Sequence, residues 1–256
     1  MSSRVIAVSN QKGGVGKTTT TVNLATALAA SRRRVLVIDA DPQGNASTGF
    51  GIDDRDHDLY HLLAGLSDIH SAIRPTSIKG LSIIPSTNAL SAAEVELSDL
   101  DQREYRLKAI IDDVKDDYDY VFIDCPPSLG LLTVNALSAA DAALVPLQCE
   151  YYALEGLSQL MNTIEAVRGG LNPDLTIQGV VLTMYDGRNR LSSLVANDVR
   201  THLGDMVYET IIPRNVRVSE APSYGTPVLL YDLECPGSKA YISLAGEVIK
   251  QEGHAA

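Results

Sequence analysis

The chain has 256 residues, 45% of them hydrophobic, and a formal net charge of −11. That length and apolar content suit one large α/β domain or two small ones, and they exclude a disordered chain. The acidic balance excludes a protein whose whole surface binds nucleic acid and leaves only a local basic patch for that purpose.

Arg4 to Ser9 reads as a short buried strand, because it is apolar and runs into glycines. The loop Lys12-Gly13-Gly14-Val15-Gly16-Lys17-Thr18-Thr19 comes next. Lys17 to Ser31 has helical spacing, with Val22, Leu24, Ala25 and Leu28 on its pattern. Arg32-Arg33-Arg34 stands at the end of that helix, where cations complement the helix dipole in a solvated turn. Val35 to Ile38 is a second strand and ends in Asp39-Ala40-Asp41-Pro42-Gln43-Gly44-Asn45. Residues 49–80 read as irregular. His57, Asp58 and His61 lack metal-ligand spacing there and are expected on the surface, beside a short helix packed through Leu59, Leu62 and Leu63.

Leu81 to Pro85 is a strand, and helices are expected from Ala89 to Leu97 and from Arg103 to Lys115. Tyr120 to Asp124 is a buried strand ending in an acid. Cys125-Pro126-Pro127 then forces an extended turn. A helix from Leu129 to Ala140, a strand from Ala142 to Leu147 and a helix from Leu154 to Arg168 follow. Thr176 to Met184 is a strand and Ser192 to Leu203 a helix. A short strand is expected before Ile211-Ile212-Pro213-Arg214-Asn215-Val216-Arg217. Ser238 to Lys250 closes the chain as a helix whose Tyr241, Leu244, Ala245 and Val248 suit packing on a sheet.

Strands alternate with helices, and no Pro/Gly/Ser-rich linker divides them. The pattern predicts an α/β fold in which residues 1–256 form a single doubly wound domain with a mostly parallel sheet flanked by helices. Cys125, Cys149 and Cys235 form no C-x-x-C and read as reduced thiols of a cytosolic protein. No apolar run reaches the length of a membrane-spanning helix. Met1-Ser2-Ser3-Arg4 enters the first strand directly, so no signal peptide is expected.

Strand, glycine loop and helix form the context in which such a loop binds phosphate. The glycines let successive backbone N–H groups converge on an anion, and the helix adds the positive end of its dipole. Lys17 can then reach the β- and γ-phosphates, and the Thr18 hydroxyl can hold Mg²⁺. The general P-loop pattern requires glycine at position 11, where this chain has Gln11. In exchange it carries a second lysine, Lys12. Asp41 stands near the end of a parallel strand, on the edge where α/β proteins bind ligands, although it could also cap the Pro42 turn. Asp124 ends a Walker B-like strand suited to the Mg²⁺ shell, and it could also cap the next helix.

Lys-Gly-Gly-Val-Gly-Lys-Thr-Thr resembles the deviant Walker A motif of the ParA/MinD ATPases. Asp41-Pro42-Gln43-Gly44-Asn45 resembles that family's switch I, and Asp124-Cys125-Pro126-Pro127-Ser128 its switch II. Cys149-Glu150-Tyr151-Tyr152-Ala153-Leu154-Glu155-Gly156 and Pro213-Arg214-Asn215-Val216-Arg217 resemble segments of the chromosome-partitioning ParA proteins of the Soj type. The resemblance covers almost the whole chain. It implies a P-loop ATPase that binds ATP and Mg²⁺ through Lys12, Gly13, Gly14, Val15, Gly16, Lys17, Thr18 and Thr19.

In that picture two monomers close face to face, with Lys12 reaching the partner's phosphates and Gly13 allowing the close approach. Asp41 orients or polarises the attacking water. Asp124 supports Mg²⁺ through water, and Pro213 and Asn215 lie where the family contacts adenine, though both are also turn formers. The ATP-bound dimer binds double-stranded DNA without sequence preference, and a ParB-type partner stimulates hydrolysis and releases it. Arg188, Arg190 and Arg217, with Arg200 and Arg214 from the same third of the chain, supply the expected DNA patch, diluted by Asp186, Asp198 and Glu220. The implied location is the cytoplasm, on the nucleoid. The alternative within the family is a MinD-like membrane-cycling regulator of cell division, whose C-terminal membrane helix has no counterpart in the last helix here. A metallocluster carrier like nitrogenase iron protein is a more distant alternative, disfavoured by the cysteine positions.

Overall fold

Strand propensity and glycine turns place eight strands in one sheet, in the order β3-β4-β2-β5-β1-β6-β7-β8 among the described residues. The computed structural model describes residues 3–150 and 153–255; Met1, Ser2, Tyr151, Tyr152 and Ala256 lie outside the described residues. The readings that fall on these positions, the directly entered first strand and the tyrosine pair of the Cys149–Gly156 segment, therefore have no structural account at them.

β1 (Arg4–Val8) leads through the glycine loop to α1 (Lys17–Ala30), and β2 (Val35–Asp39) leads to α2 (Asn45–Gly49). α3 (Leu59–Leu63), α4 (Ile69–Ala72), β3 (Arg74–Pro75), β4 (Leu81–Ile84), α5 (Leu90–Glu96) and α6 (Arg106–Asp112) follow. β5 (Tyr120–Asp124), α7 (Leu131–Ala139), β6 (Ala142–Gln148) and α8 (Ala153–Gly170) continue the alternation. β7 (Thr176–Tyr185), α9 (Arg190–Leu203), β8 (Val207–Pro213), α10 (Val216–Glu220), α11 (Val228–Tyr231) and α12 (Pro236–Ala255) complete it.

All strand pairings are parallel except β3 with β4. Both faces of the sheet are covered, so the central strands are apolar on both sides. Val5 and Ala7, Leu36 and Ile38, and Val121 and Ile123 face one core with α3 and α5 to α9. Ile6 and Val8, Val35 and Val37, and Tyr120 and Phe122 face the other, with α1 and α12. Tyr241, Leu244, Ala245 and Val248 of α12 are buried in this second core, as their spacing predicts.

Three local expectations change. The segment read as irregular contains α4 and the two-residue strand β3, which is too short to show a period and pairs Arg74 with Ile83. The helix expected from Arg103 to Lys115 is split: a 3₁₀ turn spans Arg103–Tyr105, α6 ends at Asp112, and another 3₁₀ turn spans Lys115–Asp117. Asp58 is not on the surface. It is fully buried and caps α3, accepting hydrogen bonds from His61 N at 3.2 Å and Thr87 Oγ1 at 2.6 Å. An N-cap acid looks polar in sequence, but it can be buried when backbone and hydroxyl donors surround it.

Candidate nucleotide and metal site

The loop after β1 is pinned from both sides by buried polar side chains. Asn10 accepts from Lys12 N at 3.0 Å and donates to Pro146 O at 2.8 Å, which ties the loop to β6. Thr183 of β7 donates to Val15 O at 2.8 Å. Gly14 and Gly16 have φ of 74° and 91°, a left-handed conformation that a side chain would strain. α1 then starts with no side-chain cap and no acid in its first turn. Its first N–H groups and the positive end of its dipole thus face the loop, ready for an anion. Lys17 is buried and donates to Lys12 O at 3.2 Å. Burial lowers its pKa, and the charges of Asp124, Cys125 and Asp41 work against that shift.

Asp124 and Asp41 stand beside Lys17, and Asp39 stands beside both of these acids. β5 is inserted between β1 and β2, so Asp39 and Asp124 stand opposite each other in register at the ends of neighbouring strands. Burial raises the pKa of both, and each is raised further by a neighbouring carboxylate, Asp41 for Asp39 and Asp39 for Asp124. Asp124 Oδ1 accepts from Thr21 Oγ1 at 3.0 Å, and the nearby Thr18 and Thr21 hydroxyls work against the rise in its pKa. Its Oδ2 is buried without a hydrogen-bond partner among the described residues. An orphaned, buried carboxylate oxygen beside the Thr18 hydroxyl fits a hydrated divalent cation. Among the described residues no group of three or more His, Cys, Asp or Glu could hold a metal ion by itself. A carboxylate and a hydroxyl beside a phosphate loop suit Mg²⁺, which keeps several waters and takes ligands from phosphates. Asp41 is buried and its Oδ1 accepts from Gln43 N at 3.0 Å, so it does cap the Pro42 turn.

Beside the loop lies a cavity of about 200 Å³ whose walls include Gly16, Thr19, Met184, Pro213, Asn215 and Tyr241. β8 runs further than expected and ends at Pro213, where an edge strand tolerates the missing N–H. Asn215 caps α10 by accepting from Arg217 N at 2.9 Å, so its turn-forming reading holds. A flat ring could enter this cavity with its phosphates directed at α1.

The two remaining loop residues point outward. Lys12 Nζ lies 3.0 Å from Glu150 Oε2, both side chains being partly exposed. Gly13 is exposed, and a Cβ there would meet only Pro127 Cβ at 4.0 Å. Among the described residues nothing therefore requires glycine at this position.

The arginines divide. Arg188 and Arg190 follow β7, while Arg214 and Arg217 follow β8; these are neighbouring parallel strands, so all four sit at the same sheet edge as the loop. Arg214 N donates to Tyr185 O at 2.9 Å, which joins the two segments. Arg188 pairs with Asp186 at 2.9 Å, and its hydrogen bonds hold the Asp186 pKa down at about 2. Arg217 pairs with Glu220 at 3.0 Å and Asp232 at 3.5 Å. Arg200 does not join them. It comes from the last turn of α9 and donates to Tyr208 O and Glu209 O, at the start of β8 and so at the opposite sheet edge.

Sequence reasoning assigned no role to Asp39, Thr21 and Glu150. For Asp39 a signal existed: it ends its strand as Asp124 ends β5. Glu150 carried none, because its meeting with Lys12 spans 138 positions.

Comparison with known proteins agrees with this geometry. A family model described as an AAA domain matches residues 3–177. The chromosome partitioning protein ParA of Caulobacter vibrioides is 61% identical over 253 residues, covering 97% of this chain and 95% of that one. The sporulation initiation inhibitor protein Soj of Bacillus subtilis is 53% identical over 247 residues, covering 96% and 98%. A solved structure of cobyrinic acid a,c-diamide synthase from Mycobacterium smegmatis, with bound ATP analog and magnesium, superposes with a TM-score of 0.87 at 36% identity, covering 99% and 97%. The cell division ATPase MinD of Pyrococcus furiosus superposes with a TM-score of 0.81 at 30% identity, covering 97% and 99%. The likenesses to these four proteins span almost the whole chain, and the family model spans residues 3–177, so neither rests on the phosphate loop alone.

Proposed function

The chain belongs to the ParA/Soj family of chromosome-partitioning ATPases, and from that premise we propose a cycle in which ATP closes two copies face to face on DNA and hydrolysis opens them. The observation that carries it is Lys12. A phosphate loop needs one lysine for its own nucleotide, and Lys17 is the one directed inward. The second ammonium faces outward on a partly exposed carboxylate. Lys12 leaves Glu150 for the phosphates of the partner copy, and Gly13 keeps that rim free of side chains where two backbones meet.

Within each copy the loop amides of Gly13 to Thr19 and the start of α1 hold the phosphates, while Lys17 neutralises the β- and γ-oxygens. Pro213 and Asn215 line the adenine side. Thr18 and Asp124 would hold the magnesium ion, Asp124 through water. When bound, that ion adds positive charge that steadies the leaving phosphates. Asp41 orients the attacking water. Residues 1–256 work as one unit, in the cytoplasm on the nucleoid.

The paired copies bind double-stranded DNA without sequence preference through Arg188, Arg190 and Arg217, each presented twice. A ParB-type partner stimulates hydrolysis and ends the DNA-bound state. A MinD-type lipid cycle has less support: the apolar side of α12 is spent on the core, and no helix among the described residues is long and apolar enough to cross a membrane. The test is steady-state ATPase activity with DNA, with a cognate ParB-type protein, and with both, alongside light scattering for the dimer. Stimulation is expected with both together. Equal rates in all arms and no ATP-dependent dimer would remove the proposal.

A further inference from the structure

Asp39 is the most connected of the three carboxylates, although it heads no recognised motif. Its Oδ2 accepts from the Ser47 amide at 2.8 Å and from the Ser47 hydroxyl at 2.7 Å. Its Oδ1 faces the Asp41 amide at 3.3 Å. Ser47 Oγ in turn accepts from Ser86 N at 3.1 Å, so the link runs from the end of β2 through α2 to the segment after β4. Asp39 itself is fully buried. On its other side stands Asp124, opposite in register, with its Oδ2 unpartnered.

A buried carboxylate facing another is a poor choice for stability alone. A neutral amide of the same size could accept from Ser47. Only a carboxylate offers two acceptor oxygens, one for Ser47 and one for the Asp41 amide. The arrangement therefore secures the Asp41 turn and the first turn of α2 from one buried point, one strand away from the acid on the metal side.

We propose that Asp39 is a positioning residue of the ATPase reaction, holding the Asp41 turn so that the Asp41 carboxylate keeps its place relative to the attacking water. This rests on the reading of Asp41 given above. Asp39→Asn keeps one acceptor for Ser47 and turns an N–H₂ toward the Asp41 amide, so it breaks the link to Asp41 selectively. Ser47→Ala removes the hydroxyl that bridges Asp39 to Ser86 and leaves Asp39 charged.

The experiment measures steady-state kcat and KM for ATP, affinity for ADP without magnesium, and thermal melting for wild type, Asp39→Asn, Ser47→Ala and Asp41→Ala. In Asp39→Asn kcat should fall on the order of tenfold to a hundredfold, the usual effect of a misplaced reacting group. KM and magnesium-free ADP affinity should stay near wild type, because the phosphate cradle is untouched. The melting temperature should not fall, because the substitution removes a carboxylate that is costly to bury. Ser47→Ala should lower kcat by a smaller factor at unchanged KM, and it carries the test if Asp39→Asn does not fold. A wild-type kcat in Asp39→Asn, or a loss of kcat that tracks a lower melting temperature and weaker ADP binding, overturns the proposal. If Asp41→Ala hydrolyses ATP as wild type does, the reading of Asp41 has failed. If Asp41→Ala is inactive and Asp39→Asn is not, only the positioning role has failed.

Discussion

The phosphate loop and the arginine edge lie at the same end of the sheet and are built in opposite ways. Around the loop, buried donors and acceptors set the geometry before any ligand arrives: Asn10 and Thr183 hold the backbone, and Asp39 holds the turn of Asp41. At the arginine edge the side chain of Arg188 is 91% exposed, and what steadies it is a surface pair with Asp186. Surface ion pairs contribute little to stability and are screened by salt. The difference sets a loop whose geometry is fixed on folding apart from a set of surface-paired charges, which on the proposed reading exchange carboxylate for phosphate. A preformed cradle has lost its adjustment entropy on folding; a surface pair has not.

The first way to break this comparison acts on the cradle. Lys17→Ala should weaken ATP binding by roughly 100-fold, since a charge-assisted contact to phosphate is lost while the loop amides remain. Isothermal titration reads it directly; wild-type affinity would mean that the buried lysine does not face the phosphates. The fold should survive, because the loop is pinned through Asn10 and Thr183.

A smaller and salt-dependent effect is expected at the arginine edge. Arg188→Ala combined with Arg217→Ala should leave ATP-dependent dimerisation and basal hydrolysis intact and weaken DNA binding by about tenfold or more at moderate salt. The wild-type affinity should fall steeply with salt, and less steeply in the double variant. A double variant that shifts DNA as wild type does would move the DNA surface elsewhere. The exposed pairs with Asp186, Glu220 and Asp232 predict that Asp186→Asn strengthens DNA binding, as it frees Arg188.

The smallest effect concerns pH and sharpens the contrast. The Asp124 pKa is raised from 3.8 to about 8, first by burial and then by Asp39. The folded chain thus keeps a proton that the unfolded chain releases. Stability from this group is full below pH 3.8 and is lost progressively as pH rises toward about 8. Nucleotide-free protein should therefore melt a few degrees higher at about pH 6 than at about pH 8, and Asp124→Asn should flatten the difference. Asp186, whose pKa is lowered, has the opposite sign, and its contribution is lost only as pH falls toward about 2. A melting temperature that rises between these two pH values and ignores Asp124→Asn would contradict the buried acid pair.

Much of this was legible without coordinates. The glycine loop and its helix follow from residues within twenty positions of each other, and their conformation is set by local sterics: left-handed glycines, an uncapped helix start, an apolar strand before it. The strands β5 and β6 read directly because both faces are buried and the apolar run is unbroken. Residues 49–80 did not read, because β3 has two residues and the burial of Asp58 depends on Thr87 from beyond β4.

The sequence by itself determined the alternation of strands and helices, the phosphate loop, and the acids at the ends of β2 and β5. Tertiary structure alone decided which of those acids meet. β5 enters the sheet between β1 and β2, so Asp39 and Asp124 become neighbours although they are far apart in the sequence. The same ordering sent Arg200 to the far edge, kept Arg188, Arg190, Arg214 and Arg217 together, and set Lys12 against Glu150. Periodicity reports only which face of an element is buried. Partners across the sheet are set by strand order, which arises from the summed burial of two cores and leaves no mark at any single position.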